Sequence, residues 1–463
     1  MMQRVFCLVV VAGLATVGTI GTSAALADEE GPKRPNILLI VADDLGWGDV
    51  GYHGSEIQTP NIDKFVRTGV ELDRHYVQPV CTPTRAALLS GRYPGRFGPH
   101  ALAPSNLRVY PPGTETLASM LKSAGYATHL AGKWHLGSRP EWSPNHYGFD
   151  ASYGSLTGAV DPWTHKYRPG VYERTWHRDG KILDEEGNAT ELVARQAIAW
   201  IKERKAPWFV YVPFQAVHIP IDTPPEYKKP YADKKFYDDP VKNESYQRFA
   251  AFVSQLDAQV GRLVAALDET GQRDDTLVIF TSDNGGLAGG GNPYTGTVPP
   301  TPVLSSNLPL RGFKNQLYEG GFRVAAFVNW PGKLAARKLT APLHAVDWTP
   351  TLAKLAGYEP KQDPRWDGQD VWPLLTGAVE KPAPRSIYIA HPSGQAVLRD
   401  GWKLIAFKKN GKRELYHLAN DPYEKTDLAD KEPARVEELA KILAEFRKGD
   451  RDDLPEDLKG IPK

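Results

Sequence analysis

The chain has 463 residues, of which 41% are apolar and 24% charged. That composition excludes a disordered, collagenous or polytopic membrane protein, and the length suits about two or three domains. With 56 basic and 55 acidic residues the formal charge is +1, and no long like-charge block points to a nucleic-acid partner.

Arg4 precedes an uncharged stretch from Val5 to Leu26 that closes in Ala25-Leu26-Ala27, ahead of Asp28-Glu29-Glu30. This reads as a secretory signal over residues 1–27, with a retained membrane anchor as the alternative because the stretch is nearly long enough to span. Cys7 lies before the apolar core, which excludes a lipoprotein. Cleavage removes Arg4 and Cys7, so the mature chain carries no net charge and Cys81 is its only cysteine. The expected location is secreted or periplasmic, or lysosomal or extracellular in a eukaryote, with no stable membrane partner.

Pro35 to Val41 is a continuous apolar run of the kind that forms a buried parallel strand, and Asp43 and Asp44 follow it directly. Cys81 to Ser90 reads as a helix with Pro83 in its first turn and Gly91 past its end. Cys81 then sits at a helix N-terminus, one turn from Arg85. There it is either a buried, inert thiol or a chemically employed one. A helix over Thr114–Ala124 leads to a strand over Ala127–Ala131 and then to Gly132-Lys133-Trp134-His135.

Between Trp142 and His177 a Gly/Pro-rich loop region carries Trp142, His146, Asp161, Trp163, His165, Trp176 and His177. These either wall a cleft, with indole faces for sugar rings, or anchor the loop on the domain. The run Trp208–Val212 precedes His218. Apolar residues at three- and four-residue spacing from Tyr246 to Leu267 predict a crossover helix ended by Gly271. The strand Thr276–Thr281 exits into Ser282-Asp283-Asn284-Gly285. Lys314 lies in a further loop. A Gly/Pro-bearing connection through Leu375–Pro384 separates a catalytic domain (residues 34–377) from a C-terminal α+β subdomain (385–463), which reads as an antiparallel meander from Ser386 to Leu418 and a helix over Pro433–Phe446.

Strands alternating with helices predict an α/β fold, a mainly parallel sheet sandwiched by helices with a small C-terminal antiparallel sheet. Ligands bind such sheets at the carboxyl ends of the strands. Singly, Asp43-Asp44 is a turn or helix cap, Asp283-Asn284-Gly285-Gly286 a turn, His135 and His218 satisfied structural histidines, and Lys314 a surface lysine. Jointly they fall at separate strand exits of one sheet and converge on one site.

These segments resemble the type I sulfatases. The likeness rests on Asn36–Leu39 with Asp43-Asp44, the C-x-P-x-R run from Cys81 to Arg85 closing in Leu89-Ser90-Gly91-Arg92, Gly132–Gly137 and Ser282–Gly285. Val50–Gly54 and Gln78–Pro83 look closest to the arylsulfatase B branch. The resemblance implies an alkaline-phosphatase-like fold. It implies that Cys81 is converted by a formylglycine-generating enzyme to formylglycine, supported by Arg85. It assigns a divalent cation, usually calcium, with magnesium as the other candidate, to Asp43, Asp44, Asp283 and Asn284, joined by residue 81. Lys133, His135, His218 and Lys314 fall at the residues around the diol and the sulfate. Hard oxygen ligands agree with calcium or magnesium rather than zinc or copper. Two departures, Thr84 for the usual serine and Ser90 for the usual threonine, keep their hydroxyls.

The implied reaction is in-line attack on sulfur by one hydroxyl of a geminal diol. His218 or Lys314 protonates the leaving alcohol, and His135 takes the proton that releases sulfate. The expected substrate is a sulfated saccharide or aryl sulfate, with Asp161, Trp163 and His165 as sugar-binding candidates. A phosphodiesterase or phosphonate monoester hydrolase of the same superfamily, and a non-catalytic calcium-dependent glycan binder, are the alternatives. Asn188-Ala189-Thr190 and Asn243-Glu244-Ser245 are glycosylation sequons for a eukaryotic host.

Overall fold

The computed structural model describes residues 34–203, 207–289 and 302–462, together with Met1 and Leu8. The chain divides into a leading segment, Met1–Lys33, and one compact unit, Arg34–Lys463. The expected signal, including Arg4, Cys7 and the cleavage site at Ala27, lies outside the described residues. Among the described residues no helix is long and apolar enough to cross a membrane.

Ten strands form the main sheet: β1 (Asn36–Ala42), β2 (Val70–Leu72), β3 (Ala127–Lys133), β4 (Ala151–Ser155), β5 (Trp176–Arg178), β6 (Lys181–Ile182), β7 (Trp208–Pro213), β8 (Thr276–Ser282), β9 (Phe327–Asn329) and β10 (Arg337–Leu339). Their order is β10-β2-β9-β8-β1-β7-β3-β4-β5-β6. The five central strands β8, β1, β7, β3 and β4 are parallel, and antiparallel β9, β5 and β6 extend the sheet. Ile37, Leu39 and Val41 of β1 face one core, and Leu38, Ile40 and Ala42 face the other. This two-sided burial is why the strand reads as an unbroken apolar run, and each of its large side chains contributes roughly 1.5–3 kcal/mol.

Helices cover both faces. On one lie α1 (Cys81–Ser90) and α2 (Leu117–Ser123), with Ala86, Leu88, Leu117 and Leu121 in the core. On the other lie α3 (Ala189–Glu203) and the 30-residue α4 (Pro240–Glu269), whose Phe249, Val253, Leu256, Val260, Leu263 and Leu267 bear out the predicted periodicity. Asp239 starts α4 earlier than the apolar pattern suggested, its side chain accepting from the Lys242 N–H. The C-terminal meander is the four-stranded antiparallel sheet β11 (Ser386–His391), β12 (Gly394–Arg399), β13 (Trp402–Phe407) and β14 (Arg413–His417), followed by α5 (Pro433–Lys448). Its buried residues, among them Ile387, Val397, Leu404 and Leu439, join the same core as α1.

Two expectations change. The region from Trp142 to His177 is not only loop, because it contains β4 and the start of β5. In Ala151-Ser-Tyr-Gly-Ser only Tyr153 is large and apolar, so no periodicity marks the strand; pairing with β3 makes it. Of the sequons, Asn188 is buried and its carboxamide oxygen accepts from Thr190 N and Gln255 Nε2, while Asn243 caps Phe236 and Tyr237. Both side chains are therefore engaged in the fold.

Candidate active site

The four neighbouring strands β8, β1, β7 and β3 end level on one edge of the sheet, since Ala42 pairs with Ser282 and Val41 with Pro213. Their exits carry Asp283 and Asn284, Asp43 and Asp44, His218, and Lys133 and His135. Backbone bonds continue the sheet into these exits: Asp283 N to Ala42 O at 3.0 Å, Asp43 N to Ala216 O at 3.0 Å, and His135 N to Leu156 O at 3.1 Å. Asp44 and His135 hold φ of 62° and 56°, the left-handed region that non-glycine residues seldom occupy outside over-determined sites.

Cys81 opens α1, which no side chain caps, and Gly91 ends it with φ 68°. Thr84 locks the approach to the helix. Its hydroxyl accepts from Gln78 N at 2.9 Å and donates to Gln78 O at 3.1 Å, so the departure from serine keeps this bond. One turn on, the fully buried Arg85 donates through Nε (3.0 Å) and Nη2 (2.7 Å) to Asp283 Oδ2, and through Nη1 to the Lys133 carbonyl at 3.0 Å. Behind it, Tyr110 donates to the Ala86 carbonyl at 2.8 Å. Lys133 Nζ lies 2.5 Å from Asp43 Oδ2, and Lys314 Nζ 2.5 Å from Asp44 Oδ1.

These side chains offer a set of ligand atoms that could hold a metal ion. Cys81 Sγ and carboxylate oxygens of Asp43 and Asp283 lie within 4.8 Å of one another, as do ligand atoms of Asp43, Asp44 and His218. Asp43 Oδ1, Asp44 Oδ2 and Asn284 Oδ1 are buried with no hydrogen-bond partner. Orphaned buried oxygens are costly, and three converging from two strand exits fit a hard divalent ion. Burial and repulsion from Asp283 push the Asp43 carboxyl up to about 8, the behaviour of an acid crowded by like charge. Burial also opposes ionisation of Asp44, but Lys314 and His218 outweigh it and hold that carboxyl well below the usual range.

Burial, reinforced by Lys133 and Arg85, holds the His135 imidazole neutral, and its Nδ1 has no partner. Burial likewise takes His218 down to about 3, against the pull of Asp44. The His218 Nδ1 lies 2.6 Å from the Ile219 carbonyl, so that nitrogen carries the hydrogen and Nε2 keeps its lone pair, 3.7 Å from Asp44. For Lys314, burial disfavours the charge but Asp44 more than restores it.

Cys81, His135, His218 and Lys314 line one cavity of about 320 Å³, closed by Pro104, Ser105, Asn106, Gly158, Tyr167 and Arg168. The sugar-binding candidates are placed elsewhere. Asp161 is buried and caps the Trp163 and Thr164 N–H groups, Trp163 donates to Asp222, and His165 stacks on Trp176 at 4.4 Å. Trp142, Trp176 and His177 are core residues. Of the cavity residues missed in the sequence, Tyr167 and Arg168 stand two and three positions beyond His165, while Pro104, Ser105 and Asn106 lie in a loop that carries no signal of its own. Gly158 follows the exit of β4, and because no apolar run marks that strand the strand-exit argument did not reach it.

The sulfatase family model matches residues 35–358, and the model for the C-terminal part of N-sulphoglucosamine sulphohydrolase matches 313–449. The chain is 33% identical to mouse arylsulfatase J, over 91% of this chain and 77% of that one. It is 33% identical to rat N-acetylgalactosamine-6-sulfatase, over 78% and 69%. A solved structure of Ps i-CgsB with k-i-k-neocarrahexaose superposes with a TM-score of 0.79 at 30% identity, covering 90% of this chain and 94% of that one. These matches do not single out the arylsulfatase B branch. With the strand-exit residues gathered around Cys81 and the family model spanning the whole sheet, the chain belongs to the sulfatase family and is a sulfuric ester hydrolase.

Proposed function

We propose that the protein is exported and removes sulfate from a sulfated saccharide, using residue 81 as formylglycine and a divalent cation held by Asp43, Asp44, Asp283, Asn284 and residue 81. The observation that carries this reading is the clustering of Cys81 with three orphaned oxygens and with the buried Arg85, Lys133 and Lys314, beside a cavity that Cys81 and Lys314 line. The sugar component is supported by the names of the N-acetylgalactosamine-6-sulfatase relative and of the neocarrahexaose complex.

Formylglycine supplies a hydrated aldehyde, one hydroxyl to attack sulfur and a second to allow sulfate to be expelled; the cation, calcium or magnesium, draws charge from the sulfate oxygens. Arg85, fixed by Asp283, positions residue 81 from behind. Lys133 and Lys314 supply positive charge against the sulfate in a desolvated site. His135, neutral and with an unpartnered nitrogen, accepts the proton in the release step. Of the two candidates for protonating the departing alcohol, Lys314 is the one that carries a proton at neutral pH, because His218 is held neutral.

The test is sulfate release from N-acetylgalactosamine sulfates by protein matured alongside a formylglycine-generating enzyme, with and without a chelator, beside matched aryl sulfate, phosphate monoester and phosphate diester substrates. Sulfate turnover that is chelator-sensitive and exceeds that of the phosphate esters is expected. A preference for the diester would overturn the reading in favour of the phosphodiesterase class. Exported protein beginning at Asp28 supports the signal assignment, and retention of residues 1–27 contradicts it.

A further inference from the structure

We propose that Asn106 is a substrate-binding residue, whose carboxamide NH2 group donates to an uncharged oxygen acceptor, a hydroxyl or an N-acetyl carbonyl, on the sugar ring that bears the sulfate. The inference rests on the sulfatase reading of the cavity and deepens it, because it names a residue that selects a saccharide sulfate over a bare aryl sulfate.

Asn106 is held in register with the segment that carries the chemistry. Its carbonyl accepts from Ser138 N at 2.9 Å, and Val109 N donates to Leu136 O at 3.0 Å, so the backbone around Asn106 is tied to the stretch that follows β3 and carries His135. The outer side of the turn is fixed as well. Leu107 packs with Trp142 and Leu458, its N–H donates to Ser105 Oγ at 3.1 Å, and Arg108 pairs with Asp457. A side chain presented on backbone held from both sides loses little freedom when it binds.

The carboxamide itself is oriented. The Ser138 hydroxyl donates to Asn106 Oδ1 at 2.7 Å, which leaves the NH2 group as the open end, with no partner among the described residues. Asn106 is only 7% exposed and lines the cavity together with Cys81, His135, His218 and Lys314, so a substrate can complete that donor there. A nearly buried donor without a partner is costly, and ligand sites place such groups where they fix the ligand's orientation. Chemistry then points to the occupant. Lys133 and Lys314 serve the sulfate, whereas a neutral donor suits an uncharged oxygen. Among the described residues no Asp or Glu lines the cavity, so no carboxylate competes for the NH2 group. At about 320 Å³ the cavity is at the small end of ligand sites, and its wall meets the sulfated ring itself.

The test compares the parent with Asn106→Ala and Asn106→Asp, each matured and normalised to formylglycine content. The substrates are the 4- and 6-sulfates of N-acetylgalactosamine and of galactose, beside 4-nitrophenyl sulfate. For the preferred sugar sulfate, the ratio of its kcat/KM to that of the aryl sulfate should fall about 10-fold in Asn106→Ala, the scale of one hydrogen bond. It should fall at least as far in Asn106→Asp, which keeps the shape and loses the donor. Ser138→Ala, which frees the carboxamide to turn, should lower the same ratio by less. A fall confined to the N-acetylgalactosamine sulfates assigns the acceptor to the N-acetyl carbonyl, and a fall for both sugars assigns it to a hydroxyl. An unchanged ratio in Asn106→Ala would overturn the proposal, because losses shared by both kinds of substrate report only a structural role. Turnover of the aryl sulfate by the parent scores the sulfatase reading by itself. If that turnover is absent, calorimetry on full-length Cys81→Ala protein still decides the donor. About 10-fold weaker binding of a sugar sulfate on adding Asn106→Ala supports it, and equal or undetectable binding overturns it.

Discussion

Gly158→Ala isolates the placement of His135 from its chemistry. A Cβ at position 158 would lie 2.4 Å from His135 Cε1 and 2.5 Å from Nε2, where ordinary contact is 3.4–4 Å. The backbone of Gly158 is not in the left-handed region, so the whole effect is steric. The ring must therefore move by about 1 Å, and it has little freedom, since His135 N is bonded to Leu156 O and its carbonyl accepts from Thr82 Oγ1 at 3.3 Å. A displacement of that size near the reacting groups costs roughly 100-fold in kcat, while overpacking costs about 1–3 kcal/mol of stability. Steady-state sulfate release, normalised to the formylglycine content of each preparation, measures the first, and a denaturant midpoint the second. Because the methyl acts through the ring, the double variant Gly158→Ala/His135→Ala should be no slower than His135→Ala alone. A Gly158→Ala enzyme within about twofold of the parent would refute the assignment of His135 to the reaction.

Asp283→Ala removes a proposed cation ligand and both carboxylate bonds of a fully buried Arg85, so it should lose sulfate release and about 3–5 kcal/mol of stability by denaturant titration; an unchanged midpoint would show that Arg85 does not depend on it. Cys81→Ser supplies one hydroxyl and no second, so sulfate should remain on the serine after a single turnover, visible by intact mass; sustained turnover would contradict a diol. His75 is buried between the Trp348 indole N–H, which donates to it at 2.9 Å, and Thr281, and burial takes its pKa down to about 3. The unfolded chain takes up a proton near pH 6.5 that the native histidine refuses. The stability His75 contributes is therefore complete above about pH 6.5 and falls by about 1.4 kcal/mol per pH unit as pH drops toward 3. Denaturant midpoints across that window should show a slope shallower by this amount in His75→Asn, and an equal slope would remove His75 from the account.

The strand exits were legible because a buried parallel strand announces itself as an apolar run, and polar residues directly after it can only lie on the sheet edge. That logic placed Asp43, Asp44, Lys133, Asp283 and Asn284. It missed β4, whose Ala151-Ser-Tyr-Gly-Ser carries no pattern of its own and exists by pairing with β3. Asp161, Trp163 and His165 do not line the cavity around Cys81. Their residue types suit sugars, but a carboxylate two residues before a backbone N–H satisfies that N–H first, and a histidine beside Trp176 stacks in the core. Which of several polar residues in one loop reaches a cavity depends on such local bonds, and composition does not encode them. The partnership of Lys133 with Asp43 and of Lys314 with Asp44 was equally invisible, since each joins segments far apart in the chain.

The central claim is that residue 81, once converted, performs the reaction. Preparations made with graded amounts of a formylglycine-generating enzyme can be assayed for sulfate release, and the state of residue 81 quantified by peptide mass spectrometry. Turnover proportional to the formylglycine fraction, extrapolating to zero when Cys81 is wholly thiol, is the predicted result. Turnover independent of that fraction, or retained when Cys81 is fully alkylated, would contradict it.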